Sequence, residues 1–190
     1  MIDKYLSLIQ EGYIFSDKTL SFDLDKFESG ESNKLLIIGS IGAGKTTTSK
    51  YLAKKNNAMI IHTDDCISWS LDQEPDKNQI REYTNCLKKR IIDNNKNKCI
   101  IEGLGIFSML SYHRKLFIRY PMIIIGTSAL LSSYRAFTRN NKNNEERLLK
   151  LLYNQTKMNF SMLQKKLSDL KEERSKVPGT IVKEFTEEIK

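Results

Sequence analysis

The feature that most constrains this sequence is a glycine-rich turn at residues 39–46, which reads Gly-Ser-Ile-Gly-Ala-Gly-Lys-Thr. An apolar run, Leu35–Ile38, comes before the turn, and a helix-compatible segment follows it. Glycines allow the backbone to curl so that several N–H groups point inward, and a helix N-terminus adds partial positive charge. Together these groups form a cradle for phosphate. The sequence therefore predicts a strand, a phosphate-binding loop and a helix in succession.

The end of this turn has the chemistry that a nucleoside triphosphate needs. A lysine in the position of Lys45 reaches the β- and γ-phosphates, and a hydroxyl in the position of Thr46 is a ligand for Mg²⁺. ATP and Mg²⁺ are therefore the predicted cofactors. The residues predicted to bind the nucleotide are Gly39, Ser40, Ile41, Gly42, Ala43, Gly44, Lys45, Thr46 and Thr47.

Short apolar runs separated by helical stretches predict the fold class. After Leu35–Ile38 come Met59–Ile61, Cys99–Ile101 and Met122–Ile125, which are apolar on both faces and rich in isoleucine. Such runs suit strands inside a parallel sheet that is covered by helices. We therefore predict a three-layer α/β fold with a short, mainly parallel central sheet, to which Ile181–Phe185 adds an edge strand.

The chain is expected to contain one main domain, residues 34–190, after an N-terminal extension at residues 1–33. The extension reads as a helix followed by a hairpin of Tyr13–Phe15 with Leu20–Leu24. Within the main domain, Pro75 and Asp76 are expected to start a helix. Apolar residues at helical spacing predict a long helix over residues 145–174. Its apolar seam either packs on the core or forms a homodimer contact.

Composition excludes some classes of protein and leaves others open. No apolar run approaches the length that spans a bilayer, so we expect a cytoplasmic protein, in the host cytoplasm if it is viral. The cysteines Cys66, Cys86 and Cys99 have no metal-binding spacing and are expected to be free thiols. The net charge of +8 favours anionic partners, although a lysine-rich composition from an AT-rich genome would also produce it.

Carboxylates stand at the ends of two of the predicted strands. Asp64 and Asp65 follow the run Met59–Ile61, and Glu102 ends the run Cys99–Ile101 just before Gly103. The carboxyl ends of strands are where open α/β sheets bind ligands. Glu102 is therefore expected to hold a metal-bound water or the substrate, unless it caps a helix.

This layout resembles the small P-loop kinases of the nucleoside and nucleotide kinase type, and most of all the 5′-kinase domain of phage polynucleotide kinases. The resemblance covers residues 34–159. In that family an Asp-Asp pair lies about twenty residues after the loop, which implies that Asp64 activates the acceptor hydroxyl, with Asp65 as the alternative. The family's lid carries two arginines four residues apart, which implies a transition-state role for Arg135 and Arg139 in a lid near 135–147. The family's substrate-binding arginine is absent, since that position is Ile67.

Four other side chains are weaker candidates. His62 is expected to pack on its strand, and His113 to lie at the surface beside other polar residues. Trp69 and Tyr83 either stack on a nucleobase or belong to the core.

The sequence thus predicts an ATP-dependent kinase whose acceptor is a hydroxyl group, because a carboxylate base suits an alcohol rather than a phosphate. The basic charge favours an acceptor on DNA or a nucleoside: a 5′-hydroxyl end, or a hydroxymethylated pyrimidine base of the kind found in some phage DNA. A nucleoside monophosphate kinase is the alternative. A P-loop ATPase or binding module that transfers no phosphate is a further one.

Overall fold

A mainly parallel sheet organises the part of the chain that the structure describes. The structure is a computed structural model, and it describes residues 19–39, 41–69, 75–103, 110–127, 172, 176–177 and 179–184. The predicted lid at 135–147 and, apart from Glu172, the predicted helix at 145–174 with its homodimer contact lie outside these residues and stay predictions. No helix among the described residues is long and apolar enough to cross a membrane.

The described elements alternate between strands and helices. The strands are β1 (Leu20–Phe22), β2 (Lys34–Gly39), β3 (Met59–His62), β4 (Cys99–Glu102), β5 (Met122–Ile125) and β6 (Val182–Glu184). The helices are α1 (Leu24–Glu28), α2 (Lys45–Asn56), α3 (Lys77–Asp93) and α4 (Ser111–Arg119). A single 3₁₀ turn, Thr63–Cys66, follows β3 directly. Asp76 caps α3 in a capping box with Gln79, as its position in the sequence predicts.

The strand order is β3-β4-β2-β5-β1-β6. Strands β3, β4, β2 and β5 run parallel, whereas β1 is antiparallel to both β5 and β6. This arrangement confirms the predicted α/β fold with a mainly parallel sheet. It also places the predicted C-terminal strand, here β6, at the edge.

Helices cover both faces of the sheet, which gives three layers. On one face, Tyr83 and Leu87 of α3 and Phe117 of α4 are fully buried in the larger apolar cluster. On the other face, Phe27 of α1 and Leu52 of α2 are fully buried in the second cluster. Because β2 is central, all six of its residues are buried. The phosphate-binding loop therefore starts from the most enclosed strand of the sheet.

The prediction that Leu20–Leu24 pairs with Tyr13–Phe15 in an N-terminal hairpin is wrong. Strand β1 pairs with β5 on one side and β6 on the other, so both of its edges are already occupied by strands from the main domain. Phe22 and Phe27 are 0% exposed, so β1 and α1 contribute to the core. The alternation of apolar residues predicts a strand here but does not identify its partners. The rest of the extension, residues 1–18, lies outside the described residues.

The prediction of free thiols holds for one cysteine of the three. Cys99 is free and buried, whereas Cys66 in the 3₁₀ turn and Cys86 in α3 form a disulfide with Cα atoms 5.7 Å apart. The sequence hides this pairing because the two cysteines are 20 residues apart and belong to different elements. The bond joins the turn that carries Asp64 to helix α3.

His113 was expected at the surface, and this expectation is wrong. His113, Leu116 and Phe117 form the buried face of α4, because residues three and four apart share one side of a helix. His113 is 0% exposed, and its Nε2 lies 3.1 Å from the hydroxyl of Tyr83, which is also 0% exposed. Tyr83 is therefore a core residue, and Trp69 packs edge-on against it with ring centroids 5.9 Å apart.

Candidate active site

The glycine-rich turn lies between the carboxyl end of β2 and the start of α2. A Cβ atom at Gly39 would lie 3.1 Å from the carbonyl oxygen of Ile125, so the chain passes close to β5 at this point. Gly42 and Gly44 have positive φ angles of 78° and 102°, which side chains rarely allow. The hydroxyl of Thr127, just after β5, donates to the carbonyl of Ala43 at 3.1 Å. The loop is thus held in a curled conformation by its glycines and by β5.

Helix α2 presents its positive N-terminal end to this loop. Its N-cap is Gly44, which offers no side chain to cap the first N–H groups, and its first turn contains no acidic residue. Unpaired N–H groups and the helix dipole favour an anion at this position. Thr46 and Thr47, predicted to bind nucleotide, both lie in this first turn.

The side chain of Lys45 reaches back across the loop. Its Nζ donates to the carbonyl oxygen of Gly39 at 3.1 Å, which brings the charge back to the point where β2 ends. The side chain is neither fully buried nor fully exposed. The structure therefore brings together the two ends of the predicted phosphate-binding loop with a positive charge between them.

A small polar cluster forms where β3 and β4 end beside α2. His62 and Glu102 are register partners on these adjacent parallel strands. Oε1 of Glu102 lies 2.5 Å from Nδ1 of His62, and it also accepts a hydrogen bond from the Thr46 hydroxyl at 3.3 Å. Glu102, predicted from its place at the strand end, therefore lies against the residue predicted to bind Mg²⁺.

This cluster fits Mg²⁺ that arrives with a nucleotide. Among the described residues no group of three or more His, Cys, Asp or Glu side chains is arranged to hold a metal ion. Mg²⁺ prefers oxygen ligands and commonly keeps several waters, with one or two protein ligands plus substrate phosphates. Thr46 would supply a direct oxygen ligand, and Glu102 would hold a metal-bound water.

Asp64 lies in the 3₁₀ turn just beyond β3, beside the same cluster. Desolvation raises the pKa of its carboxyl group, while Lys45 opposes this rise and Glu102 adds to it. These influences show that Asp64 shares its surroundings with the loop lysine and the strand-end glutamate. A raised pKa makes a carboxylate a stronger base, which suits proton abstraction from an alcohol.

The second aspartate of the pair has a different environment. Both aspartates are exposed, but the carboxylate of Asp65 receives a hydrogen bond from Arg90 of α3 at 2.8 Å. Asp64 lies close enough to Lys45 and Glu102 for their charges to act on its carboxyl group. Asp65 is thus held by a contact with α3, whereas Asp64 stays the candidate base beside Lys45 and Glu102.

Gly103 brings the end of β4 against the turn of Asp64, a contact that the sequence did not suggest. Its φ angle is +104°, and an added Cβ would overlap with Oγ1 of Thr63 and lie 3.0 Å from Oδ1 of Asp64. At this glycine the end of β4 therefore lies in close contact with the turn that carries the candidate base.

We expect Gly103→Ala to lower both stability and activity. The positive φ angle should cost about 1–3 kcal/mol of stability. Displacement of Asp64 should reduce phosphoryl transfer by about 10²-fold, because misplacement of a reacting group by about 1 Å has effects of this size. Urea unfolding and steady-state kinetics would measure the two effects.

Gly30→Ala is the matched control for this change. Gly30 also has a positive φ angle, +87°, but an added Cβ there would meet nothing within 4 Å. Gly30→Ala should lose only the stability that the positive φ angle costs, without the overlap at Thr63, and should keep its activity. Equal losses of activity in the two variants would contradict a specific role for Gly103.

Several predicted site residues lie outside the described residues. These are Ser40 in the loop and the two lid arginines, Arg135 and Arg139. Their predicted roles stay predictions.

Comparison with known proteins supports the fold. No protein-family model matches the sequence, and no curated protein matches it. Among solved structures 11 chains match, including the shikimate kinase from Acinetobacter baumannii in complex with shikimate. That structure has a TM-score of 0.54 and 16% sequence identity, and the match covers 77% of this chain and 83% of that chain. The shared feature is the α/β fold with a mainly parallel central sheet.

Proposed function

We propose that this chain is an ATP-dependent kinase that transfers the γ-phosphate to a hydroxyl group. The observation that carries the proposal is the convergence of three groups at the carboxyl end of the sheet. Lys45 closes the phosphate-binding loop, and Glu102 contacts Thr46. Asp64 lies near Lys45 and Glu102, and its pKa is raised. The structural similarity to a shikimate kinase supports the same kind of reaction.

In this reaction the loop and the start of α2 bind the triphosphate, and Lys45 neutralises charge on the β- and γ-phosphates. Bound Mg²⁺ would supply further neutralisation of the transferring group. Asp64 accepts the proton of the acceptor hydroxyl as the hydroxyl oxygen attacks phosphorus in line with the leaving oxygen. Arg135 and Arg139 are proposed to close over the γ-phosphate from the lid. Positioning and electrostatic stabilisation account for the catalysis.

For the acceptor, we propose a hydroxyl on nucleic acid or a nucleoside: a 5′-hydroxyl end, or a hydroxymethylated pyrimidine in DNA, as in phage DNA modification. The net charge of +8 supports this choice. So does helix α3, which packs beside the turn of Asp64 and exposes Lys77, Arg81, Lys88 and Lys89. At Ile67, where polynucleotide kinases have an arginine, the side chain packs against the apolar core and supplies no charge.

A small alcohol is the second candidate acceptor. The specific observation that favours it is the matching kinase structure, which was solved in complex with shikimate. A small acceptor would also explain why position 67 lacks a positive charge.

A labelled-γ-phosphate transfer screen tests the proposal and separates the acceptors. It would compare oligonucleotides with free 5′-hydroxyls, hydroxymethylated DNA, nucleosides, nucleoside monophosphates and shikimate. We expect label on a DNA hydroxyl or a nucleoside, and for DNA a steep fall in affinity with added salt. Label on shikimate alone would replace the nucleic-acid acceptor with a small alcohol. Label on a monophosphate, or phosphate release at full rate without any acceptor, would contradict the proposal.

A further inference from the structure

His62 is the one member of the polar cluster to which the proposed reaction gives no task. Its register pairing with Glu102 places the two side chains next to each other at the ends of adjacent parallel strands. The imidazole is 39% exposed, whereas the carboxylate of Glu102 is only 7% exposed. A carboxylate this enclosed needs hydrogen-bond donors, and within the described residues its donors are His62 and Thr46.

The two hydrogen bonds to Glu102 differ in length and meet at one oxygen. Nδ1 of His62 lies 2.5 Å from Oε1, and the Thr46 hydroxyl donates to the same Oε1 at 3.3 Å. Because the carboxylate can only accept, Nδ1 is the nitrogen that carries hydrogen. The shorter hydrogen bond, from His62, therefore determines the position of Oε1. The position of Oε1 in turn determines the direction of the hydrogen bond from Thr46.

The direction of the Thr46 hydrogen bond bears on metal binding. A hydroxyl has one hydrogen to donate and two lone pairs to offer. When the hydrogen of Thr46 is directed at Glu102, its lone pairs are left for a cation. A partner that fixes Oε1 thus also orients the hydroxyl that would bind Mg²⁺, as residues behind metal ligands commonly do.

We propose that His62 is a positioning residue that holds Glu102 so that Thr46 and Glu102 together receive the Mg²⁺ of a bound nucleotide. This inference rests on the proposed function, because it presupposes that a nucleoside triphosphate with Mg²⁺ binds in the loop. In this role His62 would not itself be a ligand of the phosphates or the metal. Its effect reaches the metal through Glu102 and Thr46.

Three substitutions isolate the hydrogen bond from the rest of the side chain. In His62→Asn the amide nitrogen takes the place of Nδ1, so a donor to Glu102 is retained. In His62→Gln the amide nitrogen takes the place of Nε2 instead, and in His62→Leu no donor remains. The asparagine and glutamine variants carry the same amide and form a matched pair that differs in where the donor lies.

The measurement is calorimetric binding of a non-hydrolysable ATP analogue to each folded variant, with and without Mg²⁺. We expect His62→Leu and His62→Gln to weaken Mg²⁺ binding in the nucleotide complex by about 10- to 100-fold, the usual effect of losing a residue behind a metal ligand. Binding of the analogue without Mg²⁺ should not change. His62→Asn should restore Mg²⁺ binding to near the wild-type value.

Two results would overturn this inference while leaving the proposed function intact. One is wild-type Mg²⁺ binding in His62→Leu, and the other is equal weakening by asparagine and glutamine. If His62→Leu does not fold, the asparagine and glutamine pair decides the matter. Failure of the wild-type protein to bind the analogue at all would overturn the proposed function together with the inference, so the two failures are distinguishable.

Discussion

Replacing Lys45 with alanine is expected to reduce phosphoryl transfer by about 10³-fold, a loss typical of removing a group that stabilises transition-state charge. The ammonium group lies 3.1 Å from the carbonyl of Gly39, at the centre of the loop that would enclose the triphosphate. Without this charge, negative charge that develops between the β- and γ-phosphates is left uncompensated. Single-turnover transfer of labelled γ-phosphate would measure the effect.

Lys50→Ala provides the control for this variant. Lys50 is exposed on the same helix, α2, and lies one turn beyond the phosphate-binding end. It removes the same charge from the same helix and should leave transfer unchanged. A similar loss in both variants would mean that net charge, rather than the position of Lys45, governs the rate.

Asp64→Asn is the second change with a large expected effect. It should lower kcat by about 10²- to 10⁴-fold, the range associated with loss of a general base, while nucleotide binding is retained. Asp93→Asn, at the exposed end of α3, removes a carboxylate away from the site and should keep full activity. Full activity in Asp64→Asn would exclude Asp64 as the base.

The pH dependence of Asp64 has a defined sign. Its pKa is raised, chiefly by desolvation, so the carboxyl group takes up a proton at a higher pH than an ordinary aspartate. The wild-type rate should therefore fall on the acid side at a pH above the usual range for aspartate, and Asp64→Asn should lack this fall. A raised pKa also means that the charged carboxylate destabilises the native state above that pKa. Asp64→Asn should thus be no less stable than wild type at neutral pH. A loss of activity in this variant can then be assigned to lost catalysis rather than to unfolding.

The sequence predicts the phosphate-binding end of this fold well because local rules act there. Glycine spacing, the apolar run before it and the helix after it are all contiguous in the chain. Strand-end carboxylates such as Asp64 and Glu102 are predictable for a related reason. Strands that run in the same direction in one sheet all end at the same edge of that sheet, so the residues just after them come together.

Contacts between distant segments are what the sequence does not specify. Alternation of apolar residues identifies β1 as a strand, but its place between β5 and β6 depends on the whole sheet. His113 is polar and has polar neighbours, yet Tyr83 of α3 supplies a buried hydrogen-bond partner. Lys34 is likewise only 1% exposed, because its ammonium group donates to the carbonyls of Asn94 and Asn97 near the end of α3.

The site also contains both kinds of residue, those predictable from local sequence and those placed by contacts between distant segments. His62 is assigned by sequence to strand packing, and its contact with Glu102 depends on the register between β3 and β4. One signal was available, since both residues end apolar runs of similar length. If the two runs are adjacent parallel strands, their last residues become neighbours.

Binding of ATP with Mg²⁺, measured by calorimetry on the wild-type protein and on Lys45→Ala, tests most directly whether residues 39–46 hold a triphosphate. We predict saturable binding at one site per chain in the wild type. In Lys45→Ala the affinity should be about 10- to 100-fold weaker, as expected for loss of a hydrogen bond between charged groups. No detectable binding by the wild type, or binding that is indifferent to the loss of Lys45, would contradict the assignment of this loop.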